Sequence, residues 1–199
     1  MNAKQVLGFL ALTLIWGSSF MWIKVAVREV GPLTVVTIRL ALALVALAGF
    51  LYARKPPLPR GKRMWGVLFV QGVLSTAAPW VLITWAEKYI DSAVASVLNA
   101  TVPMFTIVIA HFFLHDDRVT SRRVGGLVVG FVGVLLLVRR DAAFGFDLND
   151  AVAGTGLVLL GNAAMLLSSA CYAVSNVYGR AKLRGVPSIV QAFYTMLLA

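Results

Sequence analysis

Four stretches of this chain run without any Asp, Glu, Lys or Arg over residues 5–23, 64–86, 92–114 and 151–179, which are 19, 23, 23 and 29 residues long. Each exceeds the roughly 18 uncharged residues that mark a membrane-spanning helix. A fifth, 30–53, is broken only by Arg39. A sixth, 124–138, is 15 residues long and covers only about 22 Å at 1.5 Å rise. It reads as a span because Arg122, Arg123, Arg139 and Arg140 can snorkel from its ends, and because Gly126, Gly130 and Gly133 offer a face for close helix packing. With 60% hydrophobic and 13% charged residues, the chain has too few charges to cover a water-facing surface. A soluble enzyme and a disordered chain are excluded on that ground. The single cysteine, Cys171, excludes an intramolecular disulfide framework.

After Pro187 a further apolar run, 188–199, covers about half the hydrocarbon thickness. It is expected to be the first half of a seventh helix, so the chain reads as the N-terminal part of a longer polypeptide. The net charge of +10 is distributed as topology requires. With the N-terminus in the cytoplasm, the inner loops carry Lys4, Arg54, Lys55, Arg60, Lys62, Arg63, Arg118, Arg122, Arg123, Arg180, Lys182 and Arg184. The outer loops carry only Arg28, Lys88, Arg139 and Arg140. This asymmetry is the positive-inside signal and accounts for the charge without nucleic acid. A cleaved signal peptide ending near Gly17-Ser18-Ser19 is the competing reading of the first segment, but the uncharged run continues through Trp22-Ile23.

An internal echo links two stretches. Trp16-Gly17-Ser18-Ser19-Phe20, Lys24 and Gly31-Pro32 are followed 155 to 156 residues later by Tyr172-Ala173-Val174-Ser175-Asn176, Arg180 and Gly185-Val186-Pro187. Five spans fit in one period, and an odd number inverts the second copy in the membrane. The residues around these positions carry a family resemblance: Ile15-Trp16-Gly17-Ser18-Ser19-Phe20 with Lys24, Pro32-Leu33 with Arg39, and Ala95 through Phe105 with Asn99 and Pro103. Phe113 through Thr120 and Gly126 through Leu136 continue it. In this order and spacing the chain resembles the EamA-type transporters of the drug/metabolite transporter superfamily. It departs from them in carrying Asp117 where the family usually has Glu after helix 4, and in lacking most of a second repeat. The resemblance implies an all-α polytopic membrane protein of inverted five-helix repeats, the first complete and the second cut off inside its second helix. The expected division is a first repeat over 1–140, an outer linker over 141–150 and the start of a second repeat over 151–199. It further implies carriage, in the export direction, of a small metabolite such as an amino acid, by alternating access in a bacterial-type inner membrane. The alternative is a truncated fragment that only folds or associates.

Polar residues inside the spans mark the candidate path. In helix 4, Ser96, Asn99, Pro103 and Thr106 recur at helical spacing, and Pro103 has no N–H for the Asn99 carbonyl. They either line a cavity or bind a neighbouring helix. In helix 1, Trp16, Ser19, Phe20 and Ile23 share a face, and Trp16 sits far from the interface where indoles usually lie. Lys24 is read as snorkelling to the outer surface. Arg39 lies about 8 Å below the outer boundary and needs a partner: Glu29, Glu87 or Asp91, or an anionic substrate group. Gln71 and Ser75 in helix 3, and Ser168, Tyr172 and Ser175 in helix 6, extend the polar stripes, the Ser75 carbonyl being freed by Pro79. The expected substrate-binding set is therefore Trp16, Ser19, Phe20, Arg39, Ser75, Ser96, Asn99, Thr106 and Tyr172. No carboxylate falls within a span, which favours a facilitator, or coupling through the missing half, over a proton relay in these spans. His111 and His115 beside Asp116 and Asp117 lack the HExxH pattern, so neither metal, cofactor nor an intramembrane enzyme is expected. The expected partners are a small-molecule substrate and the lipid bilayer. Nucleic acid is not expected, and a homodimer is left open.

Overall fold

The computed structural model describes residues 2–57, 61–113, 125–126, 128–133, 136 and 151–199, and these contain helices and no strand. His115, Asp116, Asp117, the linker 141–150 and much of the short span 124–138 lie outside the described residues. Helix α1 (Ala3–Glu29) opens with the Asn2 N–H donating to Gln5 Oε1 at 3.0 Å, one of the orphan donors of a helix start. It stops at Val30-Gly31, and Pro32 begins α2 (Pro32–Arg54), where its fixed φ suits a first helical position. Lys55, with φ of 42°, ends α2 in the left-handed conformation before Pro56 and Pro57.

The third span is not one regular helix. α3 (Lys62–Gly72) passes through a π-helical turn, Val73–Ala77, into α4 (Ala78–Ala86). In that turn the Ala78 N–H reaches back to the Val73 carbonyl. Pro79, which has no N–H to give, follows directly. The irregular turn thus adjoins the missing N–H that the sequence places inside the span. The fourth span is also interrupted: α5 (Ser92–Asn99) ends at a turn of Ala100 and Thr101, and α6 (Val102–Phe113) begins beyond it. Thr101 Oγ1 and Ser169 Oγ both donate to the Leu98 carbonyl, at 2.6 and 3.1 Å, replacing bonds lost at the break. Then come α7 (Ala151–Lys182) and, after Gly185 and Pro187, α8 (Ser188–Leu197).

Five of these segments are long and apolar enough to cross a membrane: Gln5–Glu29, Pro32–Arg54, Lys62–Ala86, Ser92–Phe113 and Gly156–Lys182. α7 is the centre of the bundle, packed against α4, α5 and α6, while α8 lies against α2 and α3. The core cluster sits where α1, α4, α5 and α7 converge, with Phe20, Ile23, Ile83, Ala86, Leu98 and Met165 among its members. Close approach depends on glycines other than those expected. A Cβ at Gly72 would strike the Thr195 carbonyl oxygen, and one at Gly161 would lie 3.0 Å from Ile90 Cγ2. At Gly126, Gly130 and Gly133 a Cβ would meet nothing within 4 Å among the described residues. Gly126, Gly130 and Gly133 therefore make no tight seam among the described residues, and the neighbouring Val128 and Val129 are exposed.

Candidate functional site

A cavity of about 200 Å³ opens between α1, α2, α4, α5 and α7. Six of the nine expected residues line it: Trp16, Ser19 and Phe20 from α1, Arg39 from α2, Asn99 from the end of α5, and Tyr172 from α7. Ser96 stands beside it, lining a second hollow of about 380 Å³ that shares Trp16, Phe20 and Asn99. Ser75 and Thr106 are not among the lining residues of either hollow. Ser75 Oγ pairs with Thr76 Oγ1 at 3.3 Å, and Thr106 Oγ1 donates to the Val102 carbonyl at 2.8 Å. The break at Ala100 and Thr101 explains why Thr106 leaves the stripe, since helical spacing does not carry across it.

The remaining polar residues of the third and sixth spans bind each other. Gln71 Nε2 donates to Ser175 Oγ at 2.9 Å, and Ser168 Oγ approaches the Pro79 carbonyl at 3.4 Å. These bonds tie α3 and α4 to α7 and are structural in effect.

Three groups define the chemistry of the cavity. The Arg39 guanidinium lies over the Trp80 ring, 4.3 Å from its centroid, a cation–π geometry that leaves its N–H groups free to turn toward an anion. Tyr172 lies beside both Arg39 and Trp80. Asn99 Oδ1 is buried without a hydrogen-bond partner among the described residues, an acceptor held ready beside a helix break. Trp16, Phe20 and Trp80 supply aromatic walls around these polar points. A cation, an unfilled acceptor and aromatic surface suit a small molecule with an anionic group, a donor and an apolar part.

Sequence reasoning missed Trp80, although the argument that singled out Trp16, an indole far from an interface, applies to it as well. The reading of Lys24 is corrected. Its Nζ donates to the backbone carbonyls of Glu87 and Ile90, each at 2.7 Å, and so caps the end of α4 instead of snorkelling to solvent. The reason is tertiary: the turn after α4 brings unbonded carbonyls within reach of α1. Glu87 was also underrated. It follows the last residue of the third span, as expected, but its side chain is fully buried. Burial pushes its carboxyl up to about 8, while Lys24 and then Arg39 act to lower it. Among the described residues, no three His, Cys, Asp or Glu side chains gather in a way that could hold a metal ion.

Comparison with known proteins agrees with this architecture. Residues 3–139 match the EamA-like transporter family. The uncharacterized transporter YoaV of Bacillus subtilis is 26% identical over 98% of this chain and 63% of its own length. The uncharacterized inner membrane transporter YedA of Escherichia coli K12 is 29% identical over 85% of this chain and 51% of its own. A protein of Streptantibioticus cattleyicolor named as a probable terminal-alkyne amino-acid exporter is 30% identical over 69% of this chain and 46% of its own. The chain thus spans about half to just under two thirds of the length of these relatives. No solved structure gives a significant match to it.

Proposed function

Since the chain belongs to the EamA-like transporter family, and is an integral membrane protein, we propose that its cavity binds a small amphipathic metabolite of the amino-acid class for export across the inner membrane. The observation that carries the reading is the meeting of Arg39, Asn99 and the aromatic residues Trp16, Phe20 and Trp80 around one hollow. Arg39 takes the carboxylate, Asn99 Oδ1 accepts from the ammonium, and the rings cover the side chain. The resemblance to a named amino-acid exporter supports the same substrate class. In this reading the protein is a carrier and not an enzyme, its N-terminus is cytoplasmic, and access alternates between two inverted repeats. The first repeat is 1–140, the linker 141–150, and the second begins at 151. A truncated fragment that merely folds is the outcome the test must separate.

The test is amino-acid retention in bacterial cells that express the protein. Wild type should lower the intracellular level of at least one amino acid. Arg39→Gln, expressed to the same level, should lose most of that effect, roughly tenfold or more, because a desolvated bidentate partner is removed. Arg39→Lys should recover part of it. Equal amino-acid pools with wild type, Arg39→Gln and empty vector would favour an inert bundle.

A further inference from the structure

Glu87 is the one charged residue among the described residues whose side chain is completely enclosed. Neither carboxylate oxygen has a hydrogen-bond partner among those residues. Neither of the cations that act on it gives it a hydrogen bond. Lys24, from α1, gives its ammonium to the backbone carbonyls of Glu87 and Ile90, and Arg39, from α2, is stacked on Trp80. Both act on the carboxyl through space. From α7, Tyr172 stands beside Arg39. On its own turn, Lys88 lies toward the Tyr89 ring, and Asp91 stands at the start of α5. An enclosed carboxyl with no donor favours its protonated form, and its position one turn beyond Ile83 places it just outside the cavity wall.

We infer that Glu87 is a proton-binding site linked to the cavity through Arg39, so that an anionic group arriving at Arg39 draws a proton onto the Glu87 carboxylate. The inference rests on the cavity being a solute site. Ionised Glu87 offsets the charge of Arg39, and protonated Glu87 leaves that charge whole for the anion. The anion in turn removes part of the positive potential that favours the ionised form of Glu87. Each event strengthens the other by the same factor, as linkage demands. The proton leaves a hydronium ion of the solvent, whose O–H bond breaks to give water, and forms one O–H bond on the carboxylate; no other bond changes. The absence of a carboxylate inside the spans therefore does not leave the protein without a proton acceptor. The acceptor closes the third span from its end.

The test is infrared titration of the carboxyl C=O band in the purified chain in lipid nanodiscs, with benzoate as the anionic probe. Wild type should show a carboxyl titrating near pH 8 that Glu87→Gln lacks. Arg39→Gln should raise its midpoint by about one unit, the effect of losing a nearby cation. Benzoate should increase the protonated band in wild type and leave it unchanged in Arg39→Gln. A band that persists in Glu87→Gln, or a midpoint indifferent to Arg39→Gln, overturns the inference. If Glu87→Gln is poorly folded by gel filtration, Glu87→Asp serves instead, with the band expected to shift but remain. Benzoate that quenches tryptophan fluorescence without protonating Glu87 overturns the linkage while the cavity reading stands. Benzoate that neither quenches nor protonates, beside an intact titration, counts against the cavity reading and removes the linkage with it.

Discussion

α1 and the apolar stretch of α7 are both rods of membrane-spanning length, yet 33% of the α7 window is buried within the protein against 11% of the α1 window. α7 presents Ala164, Met165, Ser168, Ser169 and Ala173, small or flexible residues that let α4, α5 and α6 come close. α1 presents Leu10, Leu14 and Met21 outward and touches the bundle through Phe20, Ile23 and Lys24. In a bilayer nothing apolar drives helices together, so close packing must come from shape and polar bonds. α7 has both. α1 is held mainly at the Glu87 end, and the candidate cavity lies along its looser length. The contrast separates a tightly packed frame from a helix that is attached over a shorter length.

The largest effect is expected where two backbones touch, in the α3–α8 seam. Gly72→Leu must force a side chain into the Thr195 backbone, which cannot swing aside as a side chain could. The cost is expected at or above the ~1–3 kcal/mol typical of overpacking, visible as loss of the monodisperse peak in detergent gel filtration. Gly130→Leu should leave that peak unchanged, since the added atoms find open space among the described residues. Similar behaviour of the two variants would erase the distinction between frame and periphery.

A smaller effect is expected at the attachment of α1. Lys24→Met keeps the length of the side chain and removes two charge-assisted bonds to the carbonyls of Glu87 and Ile90. Bonds of this kind contribute about 1.5–3 kcal/mol, so thermal unfolding in detergent should fall accordingly. A melting temperature equal to wild type would mean that α1 is seated by its apolar contacts alone.

The smallest effect sharpens the same end by pH. The Glu87 carboxyl is pushed up to about 8 by burial, above its ordinary value of 4.5. Below the ordinary value, both folded and unfolded chains hold the proton, and stability is independent of this group. Between that value and about 8 the unfolded chain releases the proton first, so stability from this group declines as pH rises and then levels off. Glu87→Gln should flatten the decline, so that its melting temperature no longer falls across that range. A wild-type profile that rises over that range would show Glu87 to be stabilised as the ion.

The spans were legible because the bilayer sets a minimum uncharged length, and 5–23, 64–86 and 92–114 meet it without help from tertiary structure. The irregularities inside them were half legible. Pro79 and Pro103 announce lost N–H groups, but whether a helix answers with a π turn, as at Val73–Ala77, or a break, as at Ala100 and Thr101, depends on which neighbours supply the missing bonds. Six cavity residues were legible because polar and aromatic side chains in an apolar helix have few other uses. Ser75 and Gln71 looked the same in sequence and are taken up by Thr76 and Ser175, partners that no spacing reveals. Lys24 was misjudged, and the burial of Glu87, already a candidate partner for Arg39, was not legible, for one shared reason. Beside Lys88 and Asp91 a linear reading sees a solvated loop, whereas the fold closes α1 over the turn and shuts water out.

The account rests on the claim that the exposed face of α1 meets lipid while the hollow at Arg39 and Asn99 meets water. Single cysteines in a Cys171→Ala background, treated in intact membranes with a charged, water-soluble thiosulfonate, test it directly. Asn99→Cys should be modified, and benzoate should slow the reaction, whereas Leu14→Cys, 74% exposed on the bare bundle, should stay unmodified in the bilayer. Modification of Leu14→Cys with an inert Asn99→Cys would contradict the account at its root.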